Sequence, residues 1–508
     1  MVTRRHLIGG VAAASVGGVL LGGPAYADYT TTVDPLRSYG PWEGWGASLS
    51  WWANVFGDND TLADLFYTRD TVSYGGRSYP GLGLNIVRYN LGACTSRTIG
   101  TPPVSMVASP NIPRYKQIDG YWLDWASTDP ASASWNWRAD ANQRQMMSKA
   151  RDRGADVFEL FSVSPLWWMC VNHNPSGAAD GGNNLQSWNY RQHAIYLATV
   201  AKYAQDNWAV DFSSVAAFNE PAAPWWRADG PQEGCHLDPG VQQQVLRYLR
   251  TELDSRGLDR TEIAASDEST YAMATTTWNS FPPATRSLVG RVDVHGYEYG
   301  NTGGPRGELY RAVHADRRRL WQSEYGEGWN HGLYLAYNLS LDLRYLHPTA
   351  WCYWQPVDGL TWGLVEAGYP DPTSVTGTLG AVSNKYFVLA QYTRHIRPGM
   401  VIIDSGDQAT VAAYDASAGR LVLVTVCGDS PQRITYDLSR FAAIGGSADG
   451  MVRRWTTDAD PNGTIGRQYV AGTDLRRSAH RFVVDIPAHT VETFEVDGFH
   501  SRAAGSPR

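Results

Sequence analysis

Two glutamates stand where the chain leaves a short apolar run: Glu220 in SVAAFNEPAAPWW (214–226) and Glu324 in RLWQSEYGEGW (319–329). A lone glutamate in such a place is ordinarily a solvated loop residue. Two of them, each with aromatic neighbours, form a set that can work on one bond. One carboxyl protonates a leaving oxygen while the other attacks carbon or activates water. The two lie 104 positions apart in the chain, so the elements between them must bring them together.

Eight β-branched or aromatic runs recur at wide intervals: 44–50, 84–90, 155–162, 214–220, 262–268, 291–297, 319–324 and 350–355. The stretches between them, such as NYRQHAIYLATVAKYAQDN and PGVQQQVLRYLRTELDSRG, repeat apolar residues every three or four positions, as helices on a sheet do. Eight βα units predict an α/β fold of the closed (β/α)8 TIM-barrel type. A doubly wound open sheet is the alternative, but no glycine-rich phosphate turn follows an early strand. Active sites of such barrels form at the carboxyl ends of the strands. Glu220 ends the fourth run and Glu324 the seventh, so their carboxyls face each other across one mouth.

After residue 399 the texture changes to short alternating runs such as RLVLVTV and RFVVDIP with Gly, Asp and Ser turns. This predicts a C-terminal antiparallel β-sandwich over 400–497, with a frayed tail at 498–508. The barrel is expected over 28–399, and the strand-like 28–40 is a candidate edge of the sandwich.

Residues 1–27 begin with Arg4 and Arg5, continue through a Gly/Ala-rich apolar run and end in Ala25-Tyr26-Ala27. This is the pattern of a twin-arginine signal peptide, so a secreted bacterial enzyme is expected, with no membrane segment after processing. Net charge is −7, with 43 basic residues scattered among 50 acidic ones, so nothing resembles a phosphate-binding stripe and nucleic acid is not an expected partner. Five cysteines are too few and too scattered for a zinc site or a disulfide framework. Export permits one bridge, and Cys170 with Cys235 is the expected pair. No metal or cofactor is expected, and the chain is expected to be a monomer.

His295 and Tyr297 end the sixth run, where they can position the nucleophile or the sugar. Trp354, near the end of the eighth, is an expected sugar platform, because an indole face packs against axial C–H groups of a pyranose. Trp51, Trp52, Trp167, Trp168, Trp225 and Trp226 fall in strand-end loops, with Trp51 and Trp226 the preferred substrate contacts. Glu327, Glu298, Asp267 and Glu268 are competing acids; Asp267 and Glu268 could hydrogen-bond substrate.

GWGASLSWWANVFG, LGLNIVRYNLGAC, FSVSPLWWMCVN, FNEP, VDVHGYEYG, LWQSEYGEGW and WCYWQPVDG together resemble glycoside hydrolase family 30, a clan A retaining family, and most closely its endo-β-1,6-galactanase branch. The resemblance implies that Glu220 is the general acid/base and Glu324 the nucleophile. It also implies that Asn219 holds the sugar 2-hydroxyl or the nucleophile, and that Arg88 is the arginine that keeps Glu324 ionised. The substrate it implies is a polysaccharide, β-1,6-galactan as in arabinogalactan side chains. An exo-acting β-1,6-galactobiohydrolase, a β-1,6-glucanase and a non-catalytic carbohydrate-binding protein are the alternatives.

Overall fold

The computed structural model describes residues 27–298, 303–443, 450–463 and 465–501. The expected leader thus lies outside the described residues, except for Ala27. Eight parallel strands close a barrel in chain order. They are Gly44–Ser48, Ile86–Asn90, Val157–Phe161, Ser214–Ala216, Glu262–Glu268, Arg291–His295, Arg319–Tyr325 and Ala350–Tyr353, called barrel strands 1 to 8 below. Each coincides with one of the eight apolar runs, so the fold read from the sequence is the fold observed.

Alternation along the strands separates two environments. Val87, Tyr89, Phe158, Leu160, Val292 and Val294 point outward into the core shared with the helices. The residues between them point inward. Ile86, Trp321, Ala350 and Cys352 make a small apolar floor, with Gly46 essential beside it, because an added Cβ would lie 2.7 Å from both Cys352 Sγ and Ile86 Cβ. Trp51, Phe161, Ala216, Ala264 and Trp354 form a second apolar layer at the mouth. Between floor and mouth the barrel is filled by charge.

The helices follow from local signals. Tyr190–Asn207 and Pro239–Ser255 carry the periodic runs, the second with proline at its start, where a missing N–H costs nothing. Thr270 caps Tyr271–Ser280 by accepting the Met273 amide at 3.2 Å. The helix Asn384–Thr393 is buried along its whole length. It wedges between barrel and sandwich, where Gln391 Nε2 donates to Thr457 Oγ1 at 2.8 Å and Thr493 Oγ1 donates to the Gln391 carbonyl at 2.8 Å.

The C-terminal part is two facing sheets around a core of its own that includes Leu421, Leu423, Tyr436, Phe482 and Phe494. The chain start belongs to both sheets. Ala27–Thr32 pairs with Gln432–Asp437, in parallel rather than antiparallel fashion, and Asp34–Pro41 pairs antiparallel with Val401–Asp404. The tail expected from residue 498 begins instead with a strand, Phe499–Ser501, paired with Phe441–Ala443 and anchored by the buried Phe499. Among the described residues no helix is long and apolar enough to cross a membrane.

The bridge expected between Cys170 and Cys235 is not formed. All five cysteines are free and buried, and these two thiols donate instead to nearby carbonyls, of Pro165 and Leu166 for Cys170 and of His236 for Cys235, each at 3.6 Å.

Candidate active site

Two β-bulges shape the mouth. Asp293 pairs with Ser266 and Val294 with Glu268, so Asp267 is the extra residue of barrel strand 5. Val294 pairs with Gln322 and His295 with Glu324, so Ser323 is the extra residue of barrel strand 7. The bulges turn both side chains toward each other, and Ser323 Oγ donates to Asp267 Oδ1 at 2.5 Å. Asp267 also has φ of 61°, as Glu220 has φ of 48°, a left-handed backbone that non-glycine residues adopt at a cost. The Glu220 amide donates to the Asp267 carbonyl at 2.7 Å, joining the two strained positions.

Glu220 and Glu324, both 1% exposed, come together with His295. One oxygen from each carboxyl and Nδ1 of His295 all lie within 4.8 Å of one another. His295 Nδ1 stands 3.0 Å from Glu220 Oε1 and 3.5 Å from Glu324 Oε1. The second oxygen of Glu220 accepts the Trp225 Nε1–H at 3.2 Å, and Glu324 Oε1 accepts the Tyr297 hydroxyl at 2.8 Å. Burial opposes charge on His295, but Glu324 and Asp267, with hydrogen bonding from Asp267 and Glu220, outweigh it and push its pKa up to about 10. His295 is therefore an imidazolium at neutral pH. These three side chains are spaced as a cation site would be, and the same spacing suits proton and glycosyl transfer.

Arg88 is fully buried beside Glu324, its Nη1 3.6 Å from Glu324 Oε2. Its other bonds run to Asp267, Glu159 and the Ser323 carbonyl. Arg88 and His295 overcome burial and hold the Asp267 carboxyl below its ordinary range. Asp267 thus lies beneath the site as the counter-charge of both cations, not as the substrate contact considered from sequence. Glu268 accepts from the Ala222 amide and Thr277 Oγ1, and burial, with the Glu220 charge added, raises it to about 7. Glu327 accepts from Tyr325 and the Leu335 amide beside the buried Lys385, and Glu298 accepts from the Ala272 amide, so these acids brace loops.

Asn219 is buried at the mouth, and its Oδ1 has no hydrogen-bond partner among the described residues. Trp51 and Trp354 meet edge to face at 5.3 Å, and the Lys116 ammonium caps the Trp51 ring at 3.8 Å. Trp226 departs from its expected place as a platform. Its indole is 3% exposed, lies over Gly234, where a Cβ would come within 2.0 Å of the ring, and donates Nε1–H to the Glu220 carbonyl at 2.8 Å. Its half-buried neighbour Trp225 is the one that reaches the carboxyl. Trp52, Trp167 and Trp168 are core residues. Sequence reasoning missed Ser323 and Trp362. The indole of Trp362 packs over Gly326, just past barrel strand 7, where a Cβ would lie 3.0 Å from the ring.

Residues 26–280 match the model of O-glycosyl hydrolase family 30. The chain is 50% identical to an endo-β-1,6-galactanase of Hypocrea rufa over 93% of its own length and 96% of that protein. It is 23% identical to an exo-β-1,6-galactobiohydrolase of Bifidobacterium longum, covering 98% of this chain and 42% of that one. In fold it is similar to the family 30 subfamily 8 xylanase of Clostridium acetobutylicum, with a TM-score of 0.65 at 19% identity over 92% of this chain and all of the other. With half of its residues shared across nearly the full length of a relative, and a family model matching half of the chain, the chain belongs to glycoside hydrolase family 30.

Proposed function

We propose that this glycoside hydrolase is a retaining endo-β-1,6-galactanase in which Glu324 is the nucleophile and Glu220 the general acid/base. The observation that carries the reading is that one oxygen of each carboxyl comes within 4.8 Å of the other at the ends of barrel strands 4 and 7. Retention by double displacement works at a carboxyl separation of about 5–5.5 Å, whereas inversion needs room for water at roughly 6.5 Å or more.

In the first step Glu324 attacks the anomeric carbon while Glu220 gives its proton to the leaving oxygen, so negative charge moves from Glu324 to Glu220. His295 Nδ1 faces both carboxyls and therefore faces one negative charge throughout. In the second step Glu220 takes a proton from water, which attacks the anomeric carbon, breaks its bond to the Glu324 oxygen and frees Glu324 as carboxylate. Arg88 and Tyr297 stabilise the departing carboxylate. Asn219 is the proposed sugar contact around this centre; Trp51 and Trp354, 4% and 3% exposed, are packed against each other in the apolar layer of the mouth.

The 50% identity to an endo-β-1,6-galactanase supports a polysaccharide substrate of β-1,6-linked galactose. We also propose that it acts as a monomer, that residues 1–27 direct twin-arginine export and are removed, that 28–399 with 400–497 are the working units, and that the enzyme acts outside the cell. Digestion of β-1,6-galactan beside β-1,6-glucan, with chromatography of product lengths, tests the specificity. A ladder of galacto-oligosaccharides is expected. Release of disaccharide alone would mean exo action, and digestion of the glucan alone would overturn the galactan reading.

A further inference from the structure

We infer that Glu159, deep in the barrel, is a positioning residue for the nucleophile and acts through Arg88; the inference rests on Glu324 being that nucleophile. Glu159 lies on barrel strand 3 with no solvent exposure. Its Oε1 accepts Arg88 Nε–H at 2.7 Å, and its Oε2 accepts Ser214 Oγ–H at 3.0 Å together with an Arg291 Nη2–H. Arg291 is bound in turn to Asp293 at 2.6 and 3.0 Å and stacks 3.4 Å over the Trp321 ring. Buried charge thus continues without a break from Asp293 up to Glu324.

Filling the barrel does not require this. Apolar side chains of similar volume would do so without the desolvation penalty of buried ions. What the charges do is divide the guanidinium of Arg88. Nε is held by Glu159, Nη2 by Asp267 at 2.7 Å, and Nη1 by the Ser323 carbonyl at 3.0 Å. Glu324 is left at 3.6 Å, outside the roughly 2.7–3.2 Å of a good N–H···O bond. At that distance Arg88 favours the carboxylate without engaging the oxygen lone pair that must attack carbon. Glu159 is the tether that holds it back, and Arg291 tempers the tether.

Among the described residues, the charged and titratable groups that face Glu324 include Arg88, Glu220, His295 and Tyr297; those that face Glu159 include Arg88, Asp267, Arg291, Asp293 and Cys352. Glu159→Gln removes the tether and one negative charge, so Arg88 closes on Glu324 and the carboxyl becomes easier to ionise but less nucleophilic. Arg291→Gln removes a positive charge and tightens the hold of Glu159 on Arg88, so Glu324 becomes harder to ionise. A role limited to packing gives no such pair of opposite signs.

The test is covalent labelling by 2-deoxy-2-fluoro-β-galactosyl fluoride, in which the C1–F bond breaks, fluoride leaves and an ester to the nucleophile forms. The labelled peptide is identified by mass spectrometry and the labelling rate is followed against pH. In Glu159→Gln the acid limb is expected to move down by about half a pH unit and the plateau rate to fall about tenfold. In Arg291→Gln the acid limb is expected to move up, and this arm decides the matter if Glu159→Gln fails to fold. A label on Glu324 with wild-type acid limbs in the folded variants overturns the inference and leaves the proposed function standing. A label on another residue of the wild-type enzyme overturns the proposed function and the inference with it.

Discussion

Nε2 of His295 lies 3.1 Å from Oδ1 of Asp267, and neither side chain reaches solvent. Together with Glu324, the larger influence, Asp267 keeps the charge on a histidine with no solvent contact, and this has a consequence for stability. The pKa of His295 is about 10 in the folded protein, above its ordinary value of 6.5. The folded state therefore binds the proton more tightly than the unfolded chain. The resulting stability is fully present below about pH 6.5 and is lost as pH rises toward 10. Comparing melting temperatures of the wild type and His295→Gln from pH 6 to 10 should show a gap that narrows as pH rises. A gap that widens would mean that His295 is neutral in the folded protein.

Tyr297 donates to the same Glu324 oxygen that faces His295. A hydrogen bond to a charged group contributes about 1.5–3 kcal/mol, so Tyr297→Phe should lower kcat/KM on an aryl β-galactoside by roughly tenfold to a hundredfold. Steady-state kinetics check this, and a loss below twofold would remove Tyr297 from the machinery.

Trp225 and Trp226 are adjacent but should fail differently. Trp225→Phe loses the donor to Glu220 Oε2, so activity should fall more on polymer, whose leaving group needs a proton, than on a nitrophenyl glycoside. Trp226→Ala empties a buried site, a change that typically costs about 3–5 kcal/mol. Its signature is a lower melting temperature rather than a raised KM on long galactan. A raised KM with unchanged melting would restore Trp226 as a platform.

This contrast marks what could be read before the structure. The eight barrel strands were legible because each is a short β-branched or aromatic run set apart by helix-like stretches, and strand-end position then led to Glu220, His295 and Glu324. The roles of Arg88 and Asn219 came from family resemblance. The bulges at Asp267 and Ser323 were not legible, because one extra residue in a strand leaves composition and alternation nearly unchanged while turning two side chains into the barrel. Which of two neighbouring tryptophans meets the carboxyl depends on the loop around Glu220, and no periodicity encodes that loop. The tail strand Phe499–Ser501 was hidden because its partner, Phe441–Ala443, is equally short.

The assignment of the two carboxyls is the centre of this account, and the anomer formed in azide rescue tests it most directly. Glu324→Ala and Glu220→Ala are each given an activated aryl β-galactoside and sodium azide, and the glycosyl azide is read by proton NMR. Without the nucleophile, azide enters from the empty side of the sugar, so Glu324→Ala should yield the α-azide. Without the acid/base, the glycosyl-enzyme still forms because the aryl group needs no proton, and azide displaces Glu324 from the opposite face. Glu220→Ala should therefore yield the β-azide after a burst of aryl release. The α-azide from Glu220→Ala and the β-azide from Glu324→Ala would contradict the assignment.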